Sequence, residues 1–215
     1  RAAASAVLER DRADCIASAS SVPHSAGVSG GWTSAGPASS RRYLKFLGKT
    51  AKRKSCTAGL ALARLAELLA SAAFARYLQA ITGLHHSGAA HHVETRRFRP
   101  GHDYVKPRVA ASVQLDVVLC LGPRGIKRWR GLGAADGYAE LKTEDEQSSG
   151  GLLGGPDNIM PPTPLLRLPP RANTLRVVLR DTQTAHFVEP ISHAAPNCRW
   201  DVALSLPVEP LSESS

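Results

Sequence analysis

The stretch FVEPISHAAPNCRWDVALSL, residues 187–206, contains the strongest strand signal in the chain. From Arg199 onward, large apolar residues alternate with charged or small ones. Successive side chains of a β-strand point to opposite faces. The alternation therefore predicts one buried apolar face, made of Trp200, Val202, Leu204 and Leu206. Arg199 and Asp201 are predicted to share the opposite face, where Arg199 either forms a structural ion pair, for instance with Asp201, or binds a carboxylate ligand.

Period-two patterns predict further strands elsewhere in the second half of the chain. They fall at residues 93–98, 113–121, 137–141, 174–180 and 186–191. In the segment TLRVVLR, the pattern predicts that Leu175, Val177 and Leu179 face inward and that Arg176 and Arg180 face outward.

A helical pattern precedes these strands, between residues 58 and 84. Apolar residues recur there at helical spacing. Ser71 is a predicted N-cap and Gly83 a predicted C-terminal stop. The segment is therefore predicted to form a helical pair or one kinked helix. Helices followed by many strands predict an α+β protein with a β-sandwich or jelly-roll core.

The N-terminal part of the chain has a different composition. Residues 1–40 are dominated by Ala, Ser and Gly, and such a segment cannot bury enough apolar surface to offset its ordering entropy. The first 59 residues hold 10 Lys or Arg and 3 Asp or Glu, a net of +7, whereas the remainder holds 17 and 15, a net of +2. We therefore predict a disordered basic arm over residues 1–57 and a folded domain over residues 58–215.

The most basic segment of the predicted arm is RRYLKFLGKTAKRK, residues 41–54. It holds seven Lys or Arg and no acidic residue. Such a run is either a solvated linker or a patch that makes weak contact with RNA. Both interpretations remain open.

The apolar runs, the cysteine spacing and the composition of one loop each limit the kind of protein that the sequence can encode. No run of about 18 apolar residues occurs, so neither a transmembrane helix nor a membrane partner is predicted. None of the four cysteines forms a C-x-x-C pair, which makes a zinc cluster unexpected and favours an intracellular protein. Residues 142–164 are acidic and then rich in Gly and Pro, which predicts a long surface loop.

Six segments occur in a distinctive order along the chain. They are FARYLQAITGL (74–84), RRFRPGHDY (96–104), LDVVLCLGP (115–123), GYAEL (137–141), NTLRVVLRD (173–181) and FVEPISHAAPNCRWDV (187–202). Together they resemble the C-terminal domain of the 2-oxoglutarate- and iron-dependent prolyl hydroxylases that act on a small-subunit ribosomal protein. Members of that family carry two double-stranded β-helix domains, a catalytic one followed by a degenerate copy. The resemblance covers about residues 60–215, and it implies helices packed on a jelly-roll or cupin-like core.

The resemblance also implies where a cofactor site would lie. Catalytic members hold Fe(II) with an H-x-D or H-x-E pair and a distal histidine, and they bind 2-oxoglutarate with a later arginine. No H-x-D occurs in this chain. If Phe187 matches the residue before the distal histidine, Val188 takes the metal position and Arg199 follows 11 residues later, at the 2-oxoglutarate position. The resemblance thus implies a vestigial cofactor position at Arg199, with no catalytic residue and no metal ligand in this chain.

An active enzyme with unusual ligands is an alternative interpretation. His102 and Asp103 are adjacent in PGHDY, and His186 lies in a later predicted strand. These three side chains would have to converge within metal-ligand distance for the chain to be a dioxygenase.

Other histidines and arginines have simpler interpretations. His186 and His193 are predicted to be surface residues. The tract HHSGAAHH, residues 85–92, is predicted to bind nickel or zinc in vitro without a physiological role. The arginines of RRFR, residues 96–99, either contact RNA or an acidic partner, or belong to a solvated strand face.

The leading functional expectation is a non-catalytic domain. It would support a catalytic β-helix domain of the same polypeptide and bind ribosomal or translation-factor proteins. Fe(II) and 2-oxoglutarate, with ascorbate, are implied for that catalytic domain and not for this chain. A cytoplasmic or nuclear location, or both, is expected. The active dioxygenase and a nucleic-acid-binding module through residues 41–54 remain alternatives.

Overall fold

Two sheets and a pair of helices make up the described part of the protein. A computed structural model of the 215-residue chain describes residues 31–47, 57–86, 92–122, 131–140 and 164–208. These residues form helices α1 (Thr57–Leu69) and α2 (Ala72–Thr82). Their strands are β1 (Trp32–Ala35), β2 (Arg41–Phe46), β3 (Val93–Phe98), β4 (Tyr104–Arg108), β5 (Gln114–Gly122), β6 (Asp136–Glu140), β7 (Leu166–Leu168), β8 (Thr174–Arg180), β9 (Thr184–Val188) and β10 (Arg199–Pro207).

The strands interleave as in a jelly roll. One sheet has the order β3-β10-β5-β8 and the other the order β4-β9-β6-β7, and the pairings within each are antiparallel. Strand β2 pairs with β3 of the first sheet and β4 of the second, so it joins the two sheets along one edge. Neighbouring strands come from distant parts of the chain, which is typical of Greek-key connections. The predicted α+β fold with a jelly-roll core is confirmed.

The helices cover the outer face of the first sheet. Leu69 of α1 and Leu78 of α2 are buried against this sheet. The buried strand residues of the same cluster are Leu115, Val117, Val202, Leu204 and Leu206. The predicted apolar face of β10 is therefore confirmed, and it packs beneath the helices and not between the two sheets.

The ends of α2 follow the predicted capping signals. The Ser71 hydroxyl accepts a hydrogen bond from the backbone N–H of Phe74 at 3.2 Å. Gly83 adopts a φ of +70°, and its N–H donates to the Gln79 carbonyl at 2.8 Å. Both bonds satisfy backbone groups that a helix end leaves open. A predicted pair of helices is thus confirmed over a single kinked one.

Gly137 and Phe187 fit each other across the pairing of β6 with β9. They are directly opposite residues in the register of the two strands. A Cβ atom at position 137 would lie 2.0 Å from the Phe187 ring. The glycine of GYAEL therefore leaves the space that the phenylalanine ring of FVEPI occupies.

The predicted disorder of residues 1–57 is wrong for residues 31–47. Strand β2 lies within the sheets, and its Tyr43 and Leu44 are buried. Trp32 of β1 packs edge-on against Trp200, with ring centroids 4.9 Å apart. The composition of the whole predicted arm does not indicate β2, because only two adjacent residues of this short strand, Tyr43 and Leu44, are buried. Residues 1–30 and 48–56 lie outside the described residues, and the arm remains a prediction there.

Other differences from the predicted elements are local. The predicted strand at 186–191 is displaced, because β9 spans Thr184–Val188. Strand β4 was not predicted, because Pro107 interrupts its pattern and proline is depleted in strands. Most of the predicted loop at 142–164 lies outside the described residues. None of the described helices has the length and hydrophobicity needed to cross a membrane.

The burial of Leu44 gives a test of β2. Leu44→Ala is expected to lower the free energy of unfolding by about 2–5 kcal/mol, because it leaves a cavity at a residue with 0 % exposure. Leu47→Ala is the matched control, since Leu47 is 52 % exposed, and it should change stability by less than about 0.5 kcal/mol. Urea denaturation measures both. Equal effects of the two substitutions would mean that β2 does not pack in solution.

Candidate functional site

The space between the two sheets is lined by charged side chains. The ionisable residues that meet there are Arg96, Asp116, Asp136, Arg176, Arg180, His186, Arg199 and Asp201. The prediction that Arg176 and Arg180 face outward is therefore wrong. The alternation of β8 was predicted correctly, but its apolar side faces the helix layer and its arginines face the interior.

Arg199 lies at the centre of this interior and has 0 % exposure. Its Nε donates to Asp201 Oδ2 at 2.9 Å, and its Nη1 donates to the Ala134 carbonyl at 2.6 Å. Its Nη2 donates to both carboxylate oxygens of Asp136, at 2.9 and 2.8 Å, and to Asp201 Oδ2 at 2.6 Å. Its guanidinium carbon also lies 5.2 Å from the centroid of the Phe98 ring. Each guanidinium nitrogen thus has a protein acceptor, and the predicted ion pair with Asp201 is confirmed.

The partners of Arg199 are themselves shared with other cations. Asp136 accepts from Arg176 Nη1 at 2.6 Å and lies 3.3 Å from His186 Nε2. Asp201 accepts from Arg96 Nε at 2.7 Å. We call the four residues Arg96, Asp136, Arg199 and Asp201 the central ion cluster. It has equal numbers of positive and negative charges, which is the arrangement that buried charges require.

The electrostatics keep three members of the central ion cluster, Arg96, Asp136 and Arg199, in their charged forms. Burial by itself would raise the pKa of Asp136, but Arg199, His186 and Arg96 hold it well below its usual range. Burial by itself would lower the pKa of Arg199, but Asp136 and Asp201 raise it. Burial by itself would also lower the pKa of Arg96, but the charge and hydrogen bond of Asp201 raise it.

The predicted metal position, Val188, lies in an apolar cluster. The buried members of this cluster are Ala35, Tyr43, Phe98, Ala134, Val188, Ile191 and Ala195. Val188 stands opposite Val105 in the pairing of β9 with β4. Neither residue has a side-chain donor atom. On the other side, Val188 stands opposite Asp136 of β6, whose carboxylate is bonded to Arg199 and Arg176.

The three residues of the active-enzyme alternative do not converge. Asp103 is held by Arg99, whose Nε and Nη2 donate to its carboxylate at 2.8 Å each. His186 stands opposite Arg108 at the end of β4, whereas Asp103 precedes the start of β4, five residues away, which corresponds to roughly 15 Å of extended chain. His102 instead lies beside Arg42, with its Nδ1 3.5 Å from Arg42 Nη2. Metal–ligand bonds near 2 Å therefore cannot join these three side chains.

One H-x-E pattern, His92-Val93-Glu94, was overlooked in the sequence. His92 Nε2 lies 3.0 Å from Glu94 Oε1, and the Tyr43 hydroxyl donates to Glu94 Oε2 at 2.5 Å. Burial by itself would raise the pKa of Glu94, but its bonds to Tyr43 and His92 lower it. Over the part of the chain that the structure describes, no three His, Cys, Asp or Glu side chains are grouped so as to hold a metal ion.

The remaining histidines and arginines divide between surface and interior. His193 is exposed, as predicted, whereas His186 is half-buried beside Asp136, so that prediction is wrong. A solvated face for the arginines of residues 96–99 is also wrong, because Arg96, Arg97 and Arg99 are buried. Arg97 stacks on the Trp200 ring at 5.3 Å. Aromatic and carboxylate partners in distant segments bury these arginines, and local sequence does not reveal such partners.

The jelly-roll fold agrees with the class of protein that the sequence resembles, a domain of the 2-oxoglutarate oxygenase type, and the family comparison shows this class. The chain belongs to the family described as "oxoglutarate and iron-dependent oxygenase degradation C-term", whose profile matches residues 4–214. It is 30 % identical over 210 residues to "Prolyl 3,4-dihydroxylase OGFOD1" of Ostreococcus tauri. That match covers 89 % of this chain and 38 % of the relative, so the chain spans well under half of the relative's length.

Two solved structures match this chain at lower sequence identity. A prolyl hydroxylase of Trichoplax adhaerens, in complex with a peptide of the hypoxia inducible factor oxygen degradation domain, matches with a TM-score of 0.49 and 12 % identity, over 94 % of this chain and 77 % of that one. EvdMO1 matches with a TM-score of 0.42 and 13 % identity, over 96 % of this chain and 44 % of that one.

Among the described residues, those at the predicted cofactor positions do not fit the iron and 2-oxoglutarate that the family name implies. Val188, at the predicted metal position, is apolar, and Arg199, at the predicted cosubstrate position, is already bonded to Asp136 and Asp201. A ligand carboxylate would have to displace one of these aspartates and leave it buried without its partner.

Arg199→Ala is expected to destabilise the fold strongly. Removing one partner of a buried ion pair costs about 3–5 kcal/mol, because the other charges stay buried and uncompensated. Arg167→Ala is the matched control, because the Arg167 side chain is 55 % exposed and its pair with Glu189 should contribute at most about 1 kcal/mol. Urea denaturation measures the difference. Similar small losses for both variants would contradict a structural role for the central ion cluster.

Proposed function

We propose that this chain is a non-catalytic β-helix domain that supports the catalytic domain of a prolyl hydroxylase. The observation that carries this proposal is the complete engagement of Arg199 by Asp136, Asp201 and the Ala134 carbonyl. The residue that a catalytic copy would present to its cosubstrate is here part of the interior packing.

The energetics favour this role over cofactor binding. One charge-assisted hydrogen bond contributes about 1.5–3 kcal/mol, whereas immobilising a ligand costs at least about 4 kcal/mol. With Val188 at the metal position, no chelating iron adds to the binding. Arg199 would also have to break its bonds to two carboxylates before it could bind a ligand, so it cannot supply the missing binding free energy.

The comparisons support a catalytic partner domain. A relative named as a prolyl 3,4-dihydroxylase is much longer than the matched region. We propose that the catalytic β-helix domain of the same polypeptide holds Fe(II) and 2-oxoglutarate, with ascorbate as reductant. A proline of a small-subunit ribosomal protein is the proposed substrate, and ribosomal or translation-factor proteins are proposed partners. The proposed location is the cytoplasm, the nucleus or both.

The helix layer offers a surface suited to protein contact. Leu60 and Leu68 of α1, and Tyr77 and Ile81 of α2, are large apolar side chains that remain exposed. Tyr77 and Ile81 are four residues apart and lie on one side of their helix. Exposed apolar groups on adjacent elements are typical of surfaces that pack against another domain.

The direct test is an assay of the 215-residue chain with Fe(II) and 2-oxoglutarate. No succinate should form above the rate of a protein-free blank, since no described group of residues can hold the iron. The readout is decarboxylation and not metal binding alone, because the histidine tract at residues 85–92 is expected to bind metals in vitro.

A variant that lacks two of the four histidines in this tract separates metal binding from decarboxylation. The substitutions His85→Ala and His92→Ala should reduce Fe(II) binding, and succinate formation should stay at the level of the protein-free blank. Stoichiometric succinate formation by the unmodified chain would contradict the proposal and restore the active dioxygenase. RNA binding that is detectable in the buffer of the decarboxylation assay, and that weakens as the salt concentration rises, would favour the nucleic-acid alternative. That alternative rests on residues 41–54.

A further inference from the structure

A second site lies at the open end of the jelly roll, away from Arg199. A cavity of about 540 Å³ opens there between β2, β3, β4 and β10. Its volume lies within the range of pockets that bind small molecules. Arg199, Asp136 and Asp201 do not line it, but Arg96 of the central ion cluster does, so the cavity adjoins the cluster on the side away from Arg199.

Cations dominate the walls of this cavity. Its Arg and Lys residues are Arg41, Arg96, Lys106, Arg108 and Arg180, and the single carboxylate among its lining residues is Glu94. Asp116 neutralises Arg180 from behind the wall, with Nε donating to Oδ2 at 2.6 Å. Within the described ranges, no carboxylate forms an ion pair with Arg41, Lys106 or Arg108, which stand at the rim.

The floor of the cavity contains a donor without an acceptor. Arg96 is 6 % exposed, and its Nε is bonded to Asp201. Its Nη2 atom is buried and has no hydrogen-bond partner among the described residues. A buried charged donor left in this state costs free energy, so such donors are normally satisfied by a ligand or by water.

Neighbouring groups fix the Arg96 guanidinium in place. Its guanidinium carbon lies 5.2 Å from the centroid of the Phe98 ring and 5.9 Å from that of Tyr43. Glu94, the nearby carboxylate, does not bond this donor, and its two oxygens accept from Tyr43 and lie beside His92. The guanidinium is therefore positioned before any ligand arrives, which lowers the cost of binding.

From this geometry we propose that the cavity binds a small molecule through an oxyanion group, either a phosphate or a carboxylate. Arg96 Nη2 receives the oxyanion at the floor, and the rim cations attract it from solution. Arginine is suited to both groups because its planar guanidinium matches their oxygens. The apolar stretch Val109–Ala111 also lines the cavity and can contact the uncharged remainder of the ligand. This site goes beyond the proposed scaffold function and does not depend on it.

The test is an NMR titration of the ¹⁵N-labelled 215-residue chain with inorganic phosphate and, separately, with acetate at matched ionic strength. Saturable shifts are expected for the backbone amides of residues 105–111, except Pro107. Tighter binding of phosphate would identify a phosphate ester as the ligand class. Equal or tighter binding of acetate would identify a carboxylate.

Three variants make the result specific. Arg96→Lys keeps the charge but loses the Nη2 donor, and it should weaken anion binding about tenfold or more. The double variant Lys106→Gln, Arg108→Gln leaves the central ion cluster intact, so it tests the site even if Arg96→Lys folds poorly. It should weaken binding about two- to tenfold, as expected for two exposed charges. Arg76→Gln on α2 removes a charge outside the cavity and should leave affinity unchanged.

Two outcomes would overturn the proposal. The first is the absence of saturable shifts with either anion, which would mean that water alone satisfies Arg96. The second is an equal loss of affinity in Arg76→Gln and in the rim double variant, which would mean that the anions respond to net charge and not to the cavity. Neither outcome bears on the decarboxylation assay, so the scaffold proposal can stand or fail separately.

Discussion

The bond between Arg199 and Asp136 is the interaction on which the rest of the interior depends. Arg199 belongs to β10 in the first sheet and Asp136 to β6 in the second, so their pairing at 2.8 Å joins the two sheets through the middle of the jelly roll. Asp201, Arg96 and Arg176 are arranged around this bond, and their charges balance it. An apolar cluster that contains Val188 fills the space beside it. The two sheets are therefore held together by buried charges, while the largest apolar cluster lies outside them, beneath the helices.

This arrangement has consequences for function. An oxygenase of this fold needs a free arginine, a set of metal ligands and room for a cosubstrate at the centre. Here Arg199, at the predicted cosubstrate position, is engaged by protein carboxylates, and valine occupies the predicted metal position. A buried ion cluster contributes little net stability compared with apolar packing, but it is costly to disrupt, because any member that loses its partners remains buried and charged. A cosubstrate carboxylate at Arg199 would therefore have to displace a buried aspartate. One donor of the cluster, Arg96 Nη2, remains open, and Arg96 lines the charged cavity.

Much of the fold could be predicted from sequence, and the exceptions have identifiable physical causes. The alternation in RWDVALSLP correctly placed Arg199 and Asp201 together on the face opposite Val202, because strand periodicity is a local property. It could not identify Asp136 as the second partner, since that residue lies 63 positions away on a strand of the other sheet. The orientation of Arg176 was predicted wrongly because arginines usually face solvent, and only the distant aspartate makes burial possible. Strand β2 was missed because its burial depends on strands β3 and β4, which local composition does not reveal.

A double-mutant cycle on Arg199 and Asp136 tests the central claim most directly. Arg199→Met and Asp136→Leu each leave a buried charge without its main partner, whereas the double variant replaces both charges with apolar groups of similar size. If the pair joins the two sheets as described, the double variant should be more stable than the sum of the single effects predicts, by at least about 1.5 kcal/mol. Chemical denaturation of the four proteins gives this coupling energy. Effects that add to within about 0.5 kcal/mol would show that the two residues act independently and would contradict the account.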